Sequence, residues 1–364
     1  MRALTITNAR VFDGTRLSEP RSVRIIDGLI DESRAGAAHD EVVDAEGGVL
    51  LPGLIDGHVH IDDPGQTLTL ARWGVSTALD MGAKDPGLIR ECRDQTGRTS
   101  LRSAGFPAGP VTGTHIARLG YPAWIAIAEA DDAVGWVAQR AAEGSDYIKV
   151  LLEPQIPGQP EPLSPTTAAA VVDAAHAGGR RVVMHTTTVD TVRIAVTAGA
   201  DVFTHSPLAG APDAELVQQI VDADTVAVPT LSMMKALADH WPFPVRPPEV
   251  AFENALAWVG ALHRAGVSIV AGTDANADPA TPARVPHGES LHDELALMVE
   301  AGLTPVDALR AATEVSANRF GLSDRGAIRS GLRADLLLVA ADPTVDIAAT
   351  RDIRGVWIAG ERVR

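Results

Sequence analysis

The sequence predicts an α/β chain: a (β/α)8 barrel of the TIM type, with a small β-sandwich domain built from both chain ends. Three observations predict it. From Leu54 onward, short apolar runs alternate with helical stretches, many of them Ala-rich. Eight such strand–helix units follow one another before β texture returns near the C-terminus. Polar and ionisable residues gather at the C-terminal ends of the apolar runs, where barrels build their active sites. A doubly wound open sheet shares the alternation, but eight units and that placement favour the barrel.

The elements read in order as follows. In residues 1–50, Leu4–Thr7, Ser22–Ile26 and Val42–Val43 are β-like, with turn signals at Asp13-Gly14 and Asp27-Gly28. Barrel strands are predicted over 54–59, 76–81, 100–105, 146–151, 181–185, 201–205, 225–229 and 267–271. The alternating helices are predicted over 65–73, 86–96, 129–143, 165–178, 188–198, 212–222, 248–265 and 289–301. A long Gly/Pro loop fills 106–122, and a second loop, 232–248, is rich in proline and aromatics. After helices 304–312 and 314–320, Ala334–Val339 and Arg354–Ile358 return to strands. The division expected is a composite β domain from 1–52 plus 321–364 beside a barrel over 53–320.

The chain of 364 residues is 46% hydrophobic and 21% charged, as in a soluble globular protein, and carries a formal net charge of −16. That charge argues against nucleic acid or an anionic membrane as partner. No apolar run approaches a membrane span, and MRALTITNARVFDG has no apolar signal core, so a cytoplasmic location is expected. The single Cys92 fits a reducing compartment. Lysine occurs only at 84, 149 and 235, so a lysine inside a predicted strand is notable.

His58-Val59-His60 closes the first barrel strand, and alternate side chains on a strand share a face. Two imidazoles there can hold a divalent metal. Lys149 lies in strand four, His185 and His205 end strands five and six, and Asp274 follows strand eight. Each taken singly has a bland explanation, as a core histidine, an ion-paired lysine or a turn aspartate. Independent bland causes would not place all six at strand ends in ring order. A buried lysine loses its charge readily, and a neutral amine can take up carbon dioxide to become a bridging carbamate. Two metals follow, with His58 and His60 on one and His185 and His205 on the other. Metal-acidified water would attack an acyl carbon, and Asp274 would ligate a metal and shuttle the proton.

These residues resemble the amidohydrolase superfamily of metal-dependent hydrolases. The likeness rests on Leu51-Pro-Gly-Leu-Ile-Asp-Gly-His-Val-His60, Tyr147-Ile-Lys-Val150, His185, Thr204-His205 and Gly272-Thr-Asp274. Arg325-Gly-Ala-Ile and Gly331–Val339 are similar to the family's return to its β-sandwich, so the likeness spans nearly the whole chain. The segment GESLHDELALMVEAGLT, Gly288–Thr304, is similar to the imidazolonepropionase-like and Xaa-Pro dipeptidase-like (prolidase) branch. The lysine places the resemblance among binuclear members, which implies two divalent ions, most readily Zn2+, with Mn2+, Co2+ or Fe2+ as alternatives. Thr112-Gly-Thr-His115 matches that branch's Gly-Gly-His loop only in part, since Thr114 replaces the second glycine.

His115 is the candidate for polarising the scissile carbonyl, and Tyr121 for similar work. Arg118, Arg246 and Arg284 are candidate partners of a substrate carboxylate. His240, Trp241 and Phe243 would form a stiff apolar lid, His287 would lie at the mouth, and His292 would face solvent. The function expected is hydrolysis of an amide C–N bond in an N-acyl amino acid, a dipeptide or a related small amide. Lactone, ester or carbamate hydrolysis suits the same site, and a non-catalytic metal-binding scaffold is the reading from another class. Mononuclear deamination needs no bridging lysine, so Lys149 counts against it. A small-molecule substrate and self-association into a homo-oligomer complete the expectations.

Overall fold

The computed structural model describes residues 3–31, 40–154, 161–241 and 246–364. Its strands are β1 (Ala3–Val11), β2 (Arg21–Ile26), β3 (Leu29–Asp31), β4 (Glu41–Asp44), β5 (Val49–Pro52), β6 (Leu54–Val59), β7 (Val75–Asp80) and β8 (Ser100–Ser103). They continue as β9 (Ile148–Leu151), β10 (Val182–His185), β11 (Val202–Thr204), β12 (Val226–Val228), β13 (Leu336–Val339), β14 (Ile353–Ile358) and β15 (Glu361–Arg362).

Both chain ends build one sheet, in the order β15-β14-β13-β5-β1-β2-β3, with β4 also on β1. The long β1 serves two sets of partners. Leu4–Thr7 pair with β2 or β4 or both, whereas Arg10 and Val11 pair with β5. Ile6, Val23, Ile25, Leu50, Leu336, Leu338 and Trp357 fill the core of this sheet.

The central chain is α/β. Strands β6-β7-β8 form one parallel sheet and β9-β10-β11-β12 another. Single parallel bridges extend them: Ala108 to Val150, Ala227 to Ile269 and Val59 to Ala275. One buried cluster takes Ile55, Leu79, Tyr147, Val183, Val202, Val228 and Val270, so both sheets face a shared interior. The neighbouring strand positions Leu54, Ala78, Leu101, Ile148, Val150, Met184 and Phe203 belong to the larger cluster that includes the helices. Covered on both faces, β10, β11 and β12 are largely apolar, whereas β6, β7 and β8 also bury Asp56, His58, Thr77, Asp80 and Ser103.

Helices follow the strands at the expected places, and their local signals are ordinary ones. Ser164 caps Pro165–Ala177 through the Thr167 N–H. Thr188 and Thr191 form a reciprocal capping box that starts Val189–Thr197 just past His185.

Three expectations are corrected. Residues 267–271 form no regular ladder among the described residues. The segment hydrogen-bonds instead at a few points, through Val270 N–H to Ala227 O and Gly57 N–H to Ala271 O. The same segment lies close to β6: a Cβ on Gly57 would sit 2.8 Å from Ala271 O, and one on Gly272 would sit 2.9 Å from His58 N. The second is the loop 232–248, which opens as a helix, Leu231–Asp239, with Leu231, Met233, Met234 and Ala238 in the core. The third is His292, which is buried rather than solvent-facing. Its ring lies 2.9 Å from both Trp73 O and Thr350 Oγ1, so it joins the helix Glu289–Glu300 to two distant segments. The Gly/Pro loop 106–122 also holds one helical turn, Thr114–Ala117.

Candidate metal centre

The site begins at the end of β6. Asp56 and His58 lie in the strand and His60 just beyond it, where the pairing with β7 is irregular. Asp56 is fully buried and accepts the backbone N–H groups of His58 at 3.2 Å and Thr273 at 3.0 Å, plus the Thr273 hydroxyl at 2.8 Å. Burial pushes its carboxyl up to about 7, against those hydrogen bonds. The bonds tie β6 to Gly272-Thr273-Asp274, and Asp274 N–H donates to His58 O at 2.8 Å. Asp274 Oδ1 then lies 3.1 Å from His60 Nε2 and 3.4 Å from His58 Nε2.

The other half comes from β9, β10 and β11. His185 Nδ1 faces His205 Nε2 at 2.9 Å, and the other ring nitrogen of His205 is 2.7 Å from Thr230 Oγ1. His205 Nδ1 is 3.8 Å from Asp274 Oδ2, and the His58 and His205 ring centroids are 5.0 Å apart, so the halves adjoin. Three residues here have left-handed backbone: His205, Thr230 and Asp274 have φ values of 75°, 48° and 60°, a region few non-glycine residues adopt.

Lys149 is buried with the shared interior on its side of β9, since Ile148, Val150 and Leu152 pack in the helix-side cluster. Its Nζ donates to Thr204 Oγ1 at 3.0 Å. Burial brings the ammonium down to about 7, with Asp274 pulling the other way. Burial, and then charge from Lys149 and neighbouring rings, also lowers His58, His185 and His205, His185 to about 3. Neutral imidazole is the form that binds metal. At His60 burial is outweighed by the hydrogen bond and charge of Asp274, and its value is raised.

The donor set fits divalent metal. His58, His60 and Asp274 each offer a ligand atom, all within 4.8 Å of one another. His58 Nδ1 is buried without a hydrogen-bond partner. Four imidazoles, a carboxylate and a lysine amine at one place suit a borderline transition ion.

The candidate substrate residues divide. His115 is buried, both ring nitrogens lack partners, and burial lowers it to about 4. Gly113 leaves room for its ring, since a Cβ there would lie 2.9 Å from His115 Cε1. Tyr121 lies against it with ring centroids 6.1 Å apart, but its hydroxyl donates to Gly82 O at 2.6 Å. His287 Nε2 donates to His60 O at 2.9 Å, so it supports a candidate ligand's backbone. Arg246 is corrected: its guanidinium donates to Ala238 O and Val250 O, closing the end of a helix instead of facing a ligand. Arg118, Arg284 and His240 are exposed, Trp241 is half-buried against the core, and Phe243 lies outside the described residues.

Sequence reasoning passed over four supporting residues. Asp56 shares the strand parity of His58, and Asp80 ends β7, so the rule that found the histidines could have found both. Asp80 accepts the N–H groups of Ile61 at 3.0 Å and Gly82 at 3.3 Å, with the Ser103 hydroxyl beside it. Thr230 and Glu294 carry no local signal. Glu294 accepts Leu231 N–H at 2.8 Å and Ser232 N–H at 2.7 Å, which fixes the turn bearing Thr230.

Residues 49–363 match the model described as the amidohydrolase family. The chain belongs to the amidohydrolase family. This amidohydrolase is 32% identical over 340 residues to an uncharacterised protein of Mycobacterium tuberculosis, covering 88% of this chain and 85% of that one. It is 42% identical over 103 residues to an imidazolonepropionase of Deinococcus deserti, 27% of this chain and 24% of that one. A solved Xaa-Pro dipeptidase with methionine bound in its active site has a TM-score of 0.84 at 21% identity, covering 99% of each chain. That likeness is one of fold. Family membership makes the chain a hydrolytic, metal-dependent enzyme acting on C–N bonds. Among the described residues no helix is long and apolar enough to cross a membrane.

Proposed function

We propose that this amidohydrolase is a binuclear enzyme that cleaves the amide C–N bond of an N-acyl amino acid, a dipeptide or a related small amide. The observation that carries the reading is the convergence of two nitrogen pairs on one place, with His58, His205 and Lys149 buried and His60 and His185 half-buried. His58 and His60 flank Asp274 Oδ1, and His185 meets His205 at 2.9 Å, with Lys149 buried on the same interior side. The first pair and Asp274 would hold one ion and the second pair the other, with a carbamate on Lys149 as the bridge. A neutral amine is what that modification requires, and burial favours it here. Zinc is the favoured ion, given histidine ligands. Bound ions would acidify a water and polarise the substrate carbonyl.

The chain's own groups would do the rest. Asp274, set against both His58 and His60, takes a proton at its carboxylate and returns it to the leaving nitrogen. His115, neutral at its lowered value, donates a ring N–H to the developing oxyanion. The hydrogen bonds of buried Asp56, Asp80 and Thr273 hold the ligand-bearing segments together without entering the reaction.

The fold reading extends in the same way. The three single bridges join the two parallel sheets and the 267–275 segment in ring order. They support a closed (β/α)8 barrel over 53–320, with 1–52 and 321–364 as the composite sheet domain. Self-association is proposed as well, since Val111, Trp124 and Val134 are apolar and exposed within one stretch of chain. Light scattering at micromolar concentration tests it, and a monomer alone would refute it.

The deciding experiment is turnover by metal-replete protein on a panel of N-acyl amino acids, dipeptides, lactones, esters and carbamates. Preference for the amides supports the proposal. Preference for an uncharged lactone reassigns the acyl group, and no turnover by a metal-loaded protein favours a binding scaffold.

A further inference from the structure

We propose that Lys84 binds the carboxylate of the substrate, at the rim of the metal centre. The inference rests on the amide-hydrolase reading above, and it replaces the arginines that sequence pattern suggests for this task. Arg246 turns its guanidinium to the carbonyls of Ala238 and Val250 at a helix end. Lys84 follows β7 by four residues, past the same end of the parallel pair at which β6 leads to His60. Contacts link it to the centre. A Cβ on Gly82 would lie 3.8 Å from His60 Cε1 and 2.8 Å from the Tyr121 hydroxyl. Tyr121 in turn presents its ring to Lys84 Nζ at 5.5 Å from the centroid.

The ammonium is positioned but not used up. Its Nζ lies 2.7 Å from Asp278 Oδ2, and Asp278 stands four residues beyond Asp274. Asp278 Oδ1 accepts Ala280 N–H at 2.8 Å, so the carboxylate that holds the lysine is itself held. An ammonium has three donors, and Asp278 takes one. The Lys84 side chain is 42% exposed, which leaves the remaining donors open to an incoming group. The surroundings make the cation matter. Asp278 stands beside the ammonium and the chain as a whole carries −16, so an anionic substrate nears a negative surface. Lysine, a strongly hydrated point charge on a flexible stem, tolerates carboxylates that differ in direction. The ligand class is therefore a small amide bearing a free carboxylate close to the scissile bond.

The test compares N-acetyl-leucine with N-acetyl-leucinamide, which lacks the charge, on metal-replete protein. A charge-assisted contact of this kind predicts that Lys84→Gln raises KM for the acid about tenfold and abolishes the preference for acid over carboxamide. Lys84→Arg should restore most of that preference. Equal loss on both compounds would indicate a structural role and overturn the proposal, as would a wild type without preference. Calorimetric binding of the same two compounds separates the readings. Absence of turnover on every amide would defeat the hydrolase reading. Acid binding weakened by Lys84→Gln would then still uphold the lysine's role, and acid binding indifferent to the substitution would overturn it.

Discussion

His185 Nδ1 and His205 Nε2 face each other across 2.9 Å, from strands that run side by side. The facing is enforced from behind. Thr230 Oγ1 holds His205 Nδ1 at 2.7 Å, and Glu294 holds the turn that carries Thr230. The pair is thus oriented before any ion arrives, at the cost of left-handed backbone at His205 and Thr230.

Removal of the Thr230 hydroxyl should loosen that orientation. Thr230→Ala is expected to weaken metal binding about ten- to hundredfold, and Thr230→Ser to restore much of it. Competition against a chelator of known affinity measures this, and equal affinity in Thr230→Ala would refute the role.

Metal content follows from the two nitrogen pairs. Protein loaded with excess zinc should hold close to two ions per chain by elemental analysis. Substituting His58 together with His60 should leave one. Full activity at a reproducible value near one would end the binuclear proposal.

Lys149→Arg keeps a cation but cannot form a carbamate, so it should lose metal and activity together. Lys149→Ala should also be inactive, with partial rescue by bicarbonate or a short carboxylic acid. Wild-type activity in Lys149→Arg would rule the carbamate out.

Acid should expose the buried His292. Burial lowers its ring to about 4, from an ordinary value of 6.5. The unfolded chain takes up the proton first as pH falls, so the ring's contribution is complete above about 6.5 and is lost on the way down to 4, at most about 3 kcal/mol. Urea unfolding across this range should show the loss in wild type and a flatter profile in His292→Gln. A difference between the two that does not vary with pH would count against it.

Gly272 brings the strand of Asp274 against β6. A Cβ there would lie 2.6 Å from Val228 Cγ1 and 2.9 Å from His58 N. Gly272→Ala should therefore destabilise the fold by about 1–3 kcal/mol and reduce metal retention. Thermal unfolding with and without metal measures both.

What the sequence made legible was whatever is written locally. The strand Leu54–Val59 has the expected bounds, because the apolar residues Val49–Ile55 lead straight into it. The six candidate ligands stood out because they recur at the ends of successive apolar runs, although only left-handed backbone at His205 and Asp274 brings those two to the site. The helix Leu231–Asp239 was hidden because its cap is not local. Thr230 makes no side-chain cap, and the first N–H groups go to Glu294, more than sixty residues later in the chain. Residues 267–271 were overread as a regular strand, because glycine approach and single bridges replace a ladder there. His292 was misjudged for the same reason as the helix. Its partners, Trp73 and Thr350, lie far away in sequence. Arg246 was misassigned because a loop arginine looks alike whether it meets a ligand or a helix end.

The pairing of β5 with β13 joins Val49 to Val339 and Pro52 to Leu336. On a ribosome, β5 therefore emerges with one edge unsatisfied and waits through nearly three hundred residues of synthesis for its neighbour. Contacts of such long sequence separation form slowly. During that interval the strand leading directly into His58 and His60 has an open side, exposed to other chains. A chain halted before residue 336 should be prone to aggregate even where its metal-ligating strands are all present.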